Sequence, residues 1–426
     1  MHSGKEISWV VFGQSVALLG GFITIKCLTR VLGPEGYGHL ALGLSISGFI
    51  NLFLYGPIGQ SVLRYFSFSR ENQNLPGYFQ SLKKIHVSAF LIIFSLAVMV
   101  IVPVFYFVGL EWALLIGASA IYAVIAGINL SFQSLQNAAR QRKIAALHQG
   151  VDVWLRLIFA IFLICLFENK GYFSLFGFAI GTMFTTLSQV YFLTKNKLIG
   201  TIWNKKALRK NKNQEIHKKM VFYILSFTYW AGFGVINNFG DRWILQFLYG
   251  PKEVGIYSGI SQIANAPILF FIGIISQFIT PIIFETAGTM TKAAQAKSSN
   301  RLLQQTIVIS TIVLFGFTLI AYFAGKIIVQ LLTTSIFSQY SAILWVIVLG
   351  LSIFNIAQLL TMKGLNSHRP EIYILPKGVQ AFSFLILAYF LARRFSLMGV
   401  ATASAISYLI YLAMVIRANK RLNEIP

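Results

Sequence analysis

The sequence predicts an all-α integral membrane protein of twelve transmembrane helices. They form two six-helix bundles related by a pseudo-two-fold axis along the membrane normal. Three observations predict this: the apolar composition, the recurrence of long uncharged runs, and a motif that returns half a chain later. The chain has 426 residues, 56% of them hydrophobic and 11% charged, with a mean hydropathy of +0.71. A soluble domain carries about 25% charged residues, so a water-soluble core cannot hide this much apolar surface.

A spanning helix needs about 20 apolar residues. Twelve runs meet that length, at roughly 7–29, 37–63, 85–109, 112–138, 147–167, 172–194, 220–248, 254–284, 303–325, 340–363, 371–392 and 396–417. The first follows a short basic N-terminus and has no small-residue cleavage site, so it is expected to be a retained helix and not a removed signal peptide. The ninth is the weakest, because Ile327–Leu332 either extends it or lies at the interface. Pro376 is expected to kink the eleventh.

The motif is Arg30-Val31-Leu32-Gly33-Pro34-Glu35-Gly36-Tyr37-Gly38, a polar turn between apolar runs. Its echo is Leu248-Tyr249-Gly250-Pro251-Lys252-Glu253-Val254-Gly255. Gly and Pro stop one helix and reset the backbone for the next. A second echo pairs Asn137-Ala138-Ala139-Arg140 with Asn366-Ser367-His368-Arg369, each ending a span. The organisation expected is an N-terminal bundle over 1–194, a basic cytoplasmic linker over 195–219 and a C-terminal bundle over 220–426. Six spans per half is an even number, so both halves enter the membrane in one direction, with a site expected between them near mid-membrane.

The net charge of +23 reflects topology, not nucleic-acid binding. The large majority of the 35 lysines and arginines fall on the side of the termini. They include Arg64, Lys83, Lys84, Arg140, Arg142, Lys143, Arg417 and Lys420, and the run of Lys205, Lys206, Arg209, Lys210 and Lys212 in the linker. The positive-inside rule then puts both termini in the cytoplasm; Arg393-Arg394 runs against it. The two cysteines, Cys27 and Cys165, lie in apolar runs and read as small core residues.

No phosphate-loop signature, no His/Cys cluster with metal-ligand spacing and no nucleophile–base motif is present. No catalytic residue, metal or cofactor is therefore expected. The chemistry left is charge inside the membrane, which is costly and functional by default. Lys26 and Arg242 each sit roughly 10 Å below a Gly-Pro turn. With Lys377 and Arg156 they are candidates for a pyrophosphate, since Arg offers a bidentate fork and Lys a point charge. Gln14, Asn51, Gln60, Asn237, Asn238, Gln262 and Asn265 are candidates for sugar hydroxyls, although polar residues in bundles often only join helices. Asp241 and Asp152 are candidates for ion coupling. His148, Asp152 and Arg156 fall on one helical face, which suits a structural Asp–Arg pair.

The segment from Arg30 to Gly38, the segment Leu331 to Gly350 and the basic linker resemble the oligosaccharide and polysaccharide (Wzx-type) flippases. That family belongs to the multidrug/oligosaccharidyl-lipid/polysaccharide exporter superfamily, whose fold is MATE-like. The resemblance implies flipping of an undecaprenyl-pyrophosphate-linked oligosaccharide by alternating access, from the inner to the outer leaflet of the bacterial cytoplasmic (inner) membrane. That would feed O-antigen (lipopolysaccharide), capsule or exopolysaccharide assembly. The implied partners are the lipid-linked oligosaccharide, membrane lipids and other polysaccharide-assembly proteins. The related lipid II flippases have fourteen helices, and this chain has no room for two more. Two alternatives stay open: a cation-coupled multidrug-type exporter of the same fold, and a membrane polysaccharide polymerase or ligase.

Overall fold

A computed structural model of the chain describes residues 2–195, 210–276, 292–366 and 369–424. Every regular element among them is helical. In order they are α1 (His2–Ile50), a π-helical turn (Asn51–Tyr55), α2 (Gly56–Glu71), α3 (Leu75–Phe107), α4 (Leu110–Ala138), α5 (Arg142–Leu166), α6 (Gly171–Lys195) and α7 (Lys210–Leu248). Then come α8 (Pro251–Ile274), α9 (Lys292–Leu332), the short α10 (Ser335–Ser338), α11 (Ala342–Asn366), a 3-10 turn (Pro370–Tyr373) and α12 (Ile374–Glu424). Among the described residues 9 helices are long and apolar enough to cross a membrane, or 10 with the bent pair Gln214–Thr228 and Ala231–Leu248 taken as one span. The chain is a multi-pass membrane protein.

Two of these helices are too long to be single spans, and each contains one backbone break. In α1 the break is Gly33 (φ 64°, ψ −177°) and in α12 it is Ser396 (φ 50°, ψ −130°). The turn expected over 30–38 is thus one residue: helix runs to Leu32 and restarts at Pro34, whose fixed φ and missing N–H suit a first helical position. Gly250 repeats the geometry (φ 94°, ψ −174°) directly before Pro251. The Gly-Pro echo is therefore an echo of backbone conformation. Gly109 (φ 123°, ψ 171°) does the same ahead of α4, without a following proline to announce it. The second echo is weaker: Arg140 has a positive φ of 59°, Arg369 has φ −123°, and Ser367 and His368 lie outside the described residues.

Other boundaries shift for simple reasons. Pro376 does not kink a span. It lies in the first turn of α12, where its N–H would have no helical partner anyway. Ile327–Leu332 extends α9 as continuous helix. Helix α3 starts at Leu75, with Pro76 in its first turn, well before the apolar run expected from 85. Residues 196–209 of the basic linker and 277–284 of the eighth span lie outside the described residues, while the linker's last residues, from Lys210, already form α7. Cys165 is exposed and is not a core residue; Cys27 is half-buried.

Two compact units result: Met1–Thr24 with Gly36–Val235, and Ile25–Glu35 with Ile236–Pro426. In the first, α5 and α6 approach closely because small residues let their backbones meet. A Cβ on Gly177 would stand 2.4 Å from Ala160 Cα, and one on Gly181 2.6 Å from the Arg156 backbone nitrogen. A core of Val62, Phe66, Tyr78, Phe79, Leu135 and Met220 ties α2, α3, α4 and α7. Along α3, Phe90, Phe94, Met99 and Phe107 are exposed, as suits a helix bordered by lipid tails. The second unit is held by Ala357, Tyr373, Tyr411 and Val415 at one end and by Phe384, Ala388 and Ala403 at the other.

Candidate functional site

In the first unit a polar network runs between α4, α5 and α6. The period of α5 puts His148, Asp152 and Arg156 on one stripe that faces α4 and α6, and His148 and Asp152 are both 6% exposed. Asp152 Oδ2 and Arg156 Nη2 are 2.6 Å apart, which is the pairing expected from i, i+4 spacing. Arg156 Nη1 also donates to the Tyr122 hydroxyl at 3.0 Å. One turn along, Gln136 Nε2 lies 3.3 Å from His148 Nδ1, and His148 Nε2 lies 3.0 Å from Ser188 Oγ. Asn129 bridges to Thr186 at 3.2 Å and accepts from Gln133 at 3.1 Å. These bonds cross three helices, so the network fixes their register as well as holding charge.

Gln14 and Asn51 belong to the same unit. Each has a buried side-chain oxygen without a hydrogen-bond partner. Asn51 opens the π-helical turn, a local widening that often accompanies functional sites. The turn shifts the backbone bonds of this stretch, and Thr228 Oγ1 donates to the Phe53 carbonyl at 3.0 Å. Gln60 is exposed.

The remaining candidates belong to the second unit. Asp241 and Arg242 adjoin on α7 and, as neighbours in a helix, do not face each other. The Asp241 carboxylate accepts the backbone N–H of Arg242 at 2.8 Å, and the guanidinium stands 5.6 Å from the centroid of the Phe239 ring. Asp241 lies within electrostatic range of Tyr257 on α8 and Tyr408 on α12. Asn237 accepts from Gln380 Nε2, which also donates to Ser407 Oγ at 3.4 Å. Asn237 thus ties α7 to both segments of α12. Asn238 is exposed, and Gln262 and Asn265 are half-buried. Lys26 is exposed, and so is Arg30 one turn on, whereas Ile25, Leu28 and Thr29 are buried. The two cations therefore share the open face of that helix. Lys377 is half-buried, four residues after Tyr373.

Tyr373 marks a lock that the sequence did not announce. Its hydroxyl donates to Asn419 Oδ1 at 2.5 Å and accepts the Gly364 N–H at 3.0 Å, while Asn419 Nδ2 donates to the Leu360 carbonyl at 2.9 Å. A Cβ at Gly364 would stand 2.5 Å from the Tyr373 ring. Tyr122, Gln136, Ser188, Gln380 and Ser407 were missed in the same way. An uncharged polar residue in an apolar run signals only that some partner exists, not which helix supplies it. Outside the spans, Lys170 bonds Glu111, and that bond holds its ammonium above the ordinary lysine range.

A family model described as "Polysaccharide biosynthesis protein" matches residues 3–287, more than half of the chain. The chain belongs to that family. The search of curated sequences returns no match. Among solved structures, the chain is similar to one titled lipid II flippase MurJ, inward closed conformation, with TM-score 0.70 and 15% identity over 97% of this chain and 87% of that one. It is also similar to an inward-facing multidrug resistance MATE family transporter of the MOP superfamily, with TM-score 0.69 and 13% identity over 96% and 95%. An outward-facing transporter of that description gives 0.61 and 11% over 99% and 96%. At these identities the likeness shows the fold, which is MATE-like.

Proposed function

We propose that this member of the polysaccharide biosynthesis family is a transporter, not an enzyme. Its substrate is an undecaprenyl-pyrophosphate-linked oligosaccharide, flipped from the inner to the outer leaflet of the bacterial inner membrane by alternating access. The product feeds O-antigen, capsule or exopolysaccharide assembly. The observation that carries the reading is the family match on a MATE-like membrane fold. Counting each broken helix, α1 and α12, as two spans gives twelve, with both termini in the cytoplasm and a six-and-six duplication.

The pyrophosphate is assigned to Arg242, with Lys26 and Lys377 in support; all three belong to the second unit. Arg156 is the weakest of the four basic candidates, because Asp152 and Tyr122 already use its guanidinium. Gln14, Asn51, Asn238, Gln262 and Asn265 are left for sugar hydroxyls, while Asn237 is committed to Gln380. The test is Arg242→Ala in a flippase-null strain. Loss of surface polysaccharide with accumulation of the lipid-linked intermediate, at normal expression, is expected. Full surface polysaccharide removes Arg242 from the site.

A cation-coupled exporter is the second reading, favoured by an acid within the spans, Asp241, in electrostatic range of Tyr257 and Tyr408. Complementation by the wild-type chain distinguishes the two, since a drug exporter does not restore surface polysaccharide.

A further inference from the structure

In the first unit a cavity of about 210 Å³ opens where α2 ends and α7 begins, lined by Phe68, Ser69, Asn72, Asn74, Glu215 and Lys219. It lies outside every candidate named above, on the side that the positive-inside count assigns to the cytoplasm. The walls are well defined. Ile216, on the floor, is 4% exposed and belongs to the core formed with Phe66 and Tyr78. The Tyr65 hydroxyl donates to the Lys219 carbonyl at 3.3 Å, and Arg64 stands 4.9 Å from the Tyr223 ring centroid. These contacts fix α7 against α2.

The lining has a particular chemistry. Glu215 and Lys219 pair at 2.7 Å, so the cavity carries both signs and suits neither a lone anion nor a lone cation. Two primary amides face it. Asn72 Nδ2 donates to the Phe68 carbonyl at 2.8 Å, which leaves its oxygen and second N–H. Asn74 precedes α3 yet makes no side-chain cap bond. Phe68 supplies an exposed aromatic ring, with the Lys219 ammonium 5.7 Å from its centroid. Ser69 is fully buried, and its Oγ has no hydrogen-bond partner. Ser81 on α3 bonds the Gly77 carbonyl four residues back at 2.8 Å; Ser69, like Ser61 on its own helix, does not. A buried hydroxyl left unsatisfied costs about 1–3 kcal/mol, and Ser69 belongs to the cavity wall.

We infer that this cavity binds a neutral pyranose ring. Each sugar hydroxyl is both donor and acceptor, which matches two amides, a hydroxyl and a mutually neutralised carboxylate–ammonium pair. The apolar face of the ring matches Phe68. That the sugar belongs to the transported lipid-linked chain rests on the flippase reading; the binding of a pyranose does not.

The experiment uses the full chain in detergent and saturation-transfer NMR with the methyl glycosides of glucose, galactose, mannose and N-acetylglucosamine. At least one glycoside is expected to take up saturation. Its binding is expected to weaken about tenfold in Asn72→Ala, which removes an amide at an exposed position, and in Ser69→Leu, which adds bulk to the cavity wall. No saturation of any glycoside, equal binding in both variants, or displacement of the glycoside by inorganic pyrophosphate overturns the assignment. Surface polysaccharide measured in the same variants keeps the two readings apart. Transport without glycoside binding sinks the cavity alone. Glycoside binding by a wild-type chain that fails to complement sinks the flippase reading alone.

Discussion

The two units handle an intramembrane acid and base in opposite ways. In the first, Asp152 and Arg156 are four residues apart on α5, so their side chains meet at 2.6 Å. In the second, Asp241 and Arg242 are adjacent, so helical geometry sends them in different directions and the carboxylate takes a backbone N–H instead. Spacing alone decides which. A pair four apart neutralises itself and, through Tyr122, ties α5 to α4. An adjacent pair presents its charges to two separate surroundings. The first arrangement joins its own two charges; the second does not.

The largest expected effect falls on the packing that brings the first network together. Gly177→Leu places a branched side chain where a Cβ alone would stand 2.4 Å from the backbone of α5. Loss of about 3 kcal/mol or outright failure to fold is expected, read as collapse of monodisperse yield in detergent. A variant as stable as wild type would mean that α5 and α6 do not approach as described.

The next test compares the two acids directly. Asp152→Asn leaves a partly buried Arg156 without its carboxylate, and a cost of about 3 kcal/mol is expected. The double variant Asp152→Asn/Arg156→Gln should recover part of it. Asp241→Asn should cost less, about 1 kcal/mol, because an amide oxygen still accepts the Arg242 N–H. Thermal melts of the three variants check the ranking; equal losses at Asp152 and Asp241 would erase the contrast between the units.

The smallest effect concerns the breaks. Gly33 and Gly250 use glycine for a positive φ, whereas Ser396 holds φ 50° with a side chain. Ser396→Gly should raise stability by about 1 kcal/mol, seen as a higher melting temperature. No gain would show that the Ser396 side chain offsets its own strain.

Much of the fold was legible in the residues. Long uncharged runs dictate helices because a backbone in lipid must satisfy its own hydrogen bonds. Gly-Pro gave two of the breaks, since few other residues accept that backbone. Ser396 was invisible for the same reason: serine is not a usual carrier of positive φ, and the nearest hint was Gly399, whose Cβ would stand 2.0 Å from the Leu391 carbonyl. Of the site, the Asp152–Arg156 pair was readable because i, i+4 spacing is local.

What the sequence determined by itself is therefore local and periodic: helical state, approximate spans, charge asymmetry, Gly-Pro breaks and same-helix pairs. Only the tertiary structure decided the rest. It joined Gln136 to His148 and Ser188, Asn237 to Gln380 and Ser407, Tyr373 to Asn419, and the end of α2 to the start of α7 around one cavity. The reason is physical. A helix fixes which face a polar residue occupies, but its partner lies on another helix at a rotation and depth set by close packing of the whole bundle.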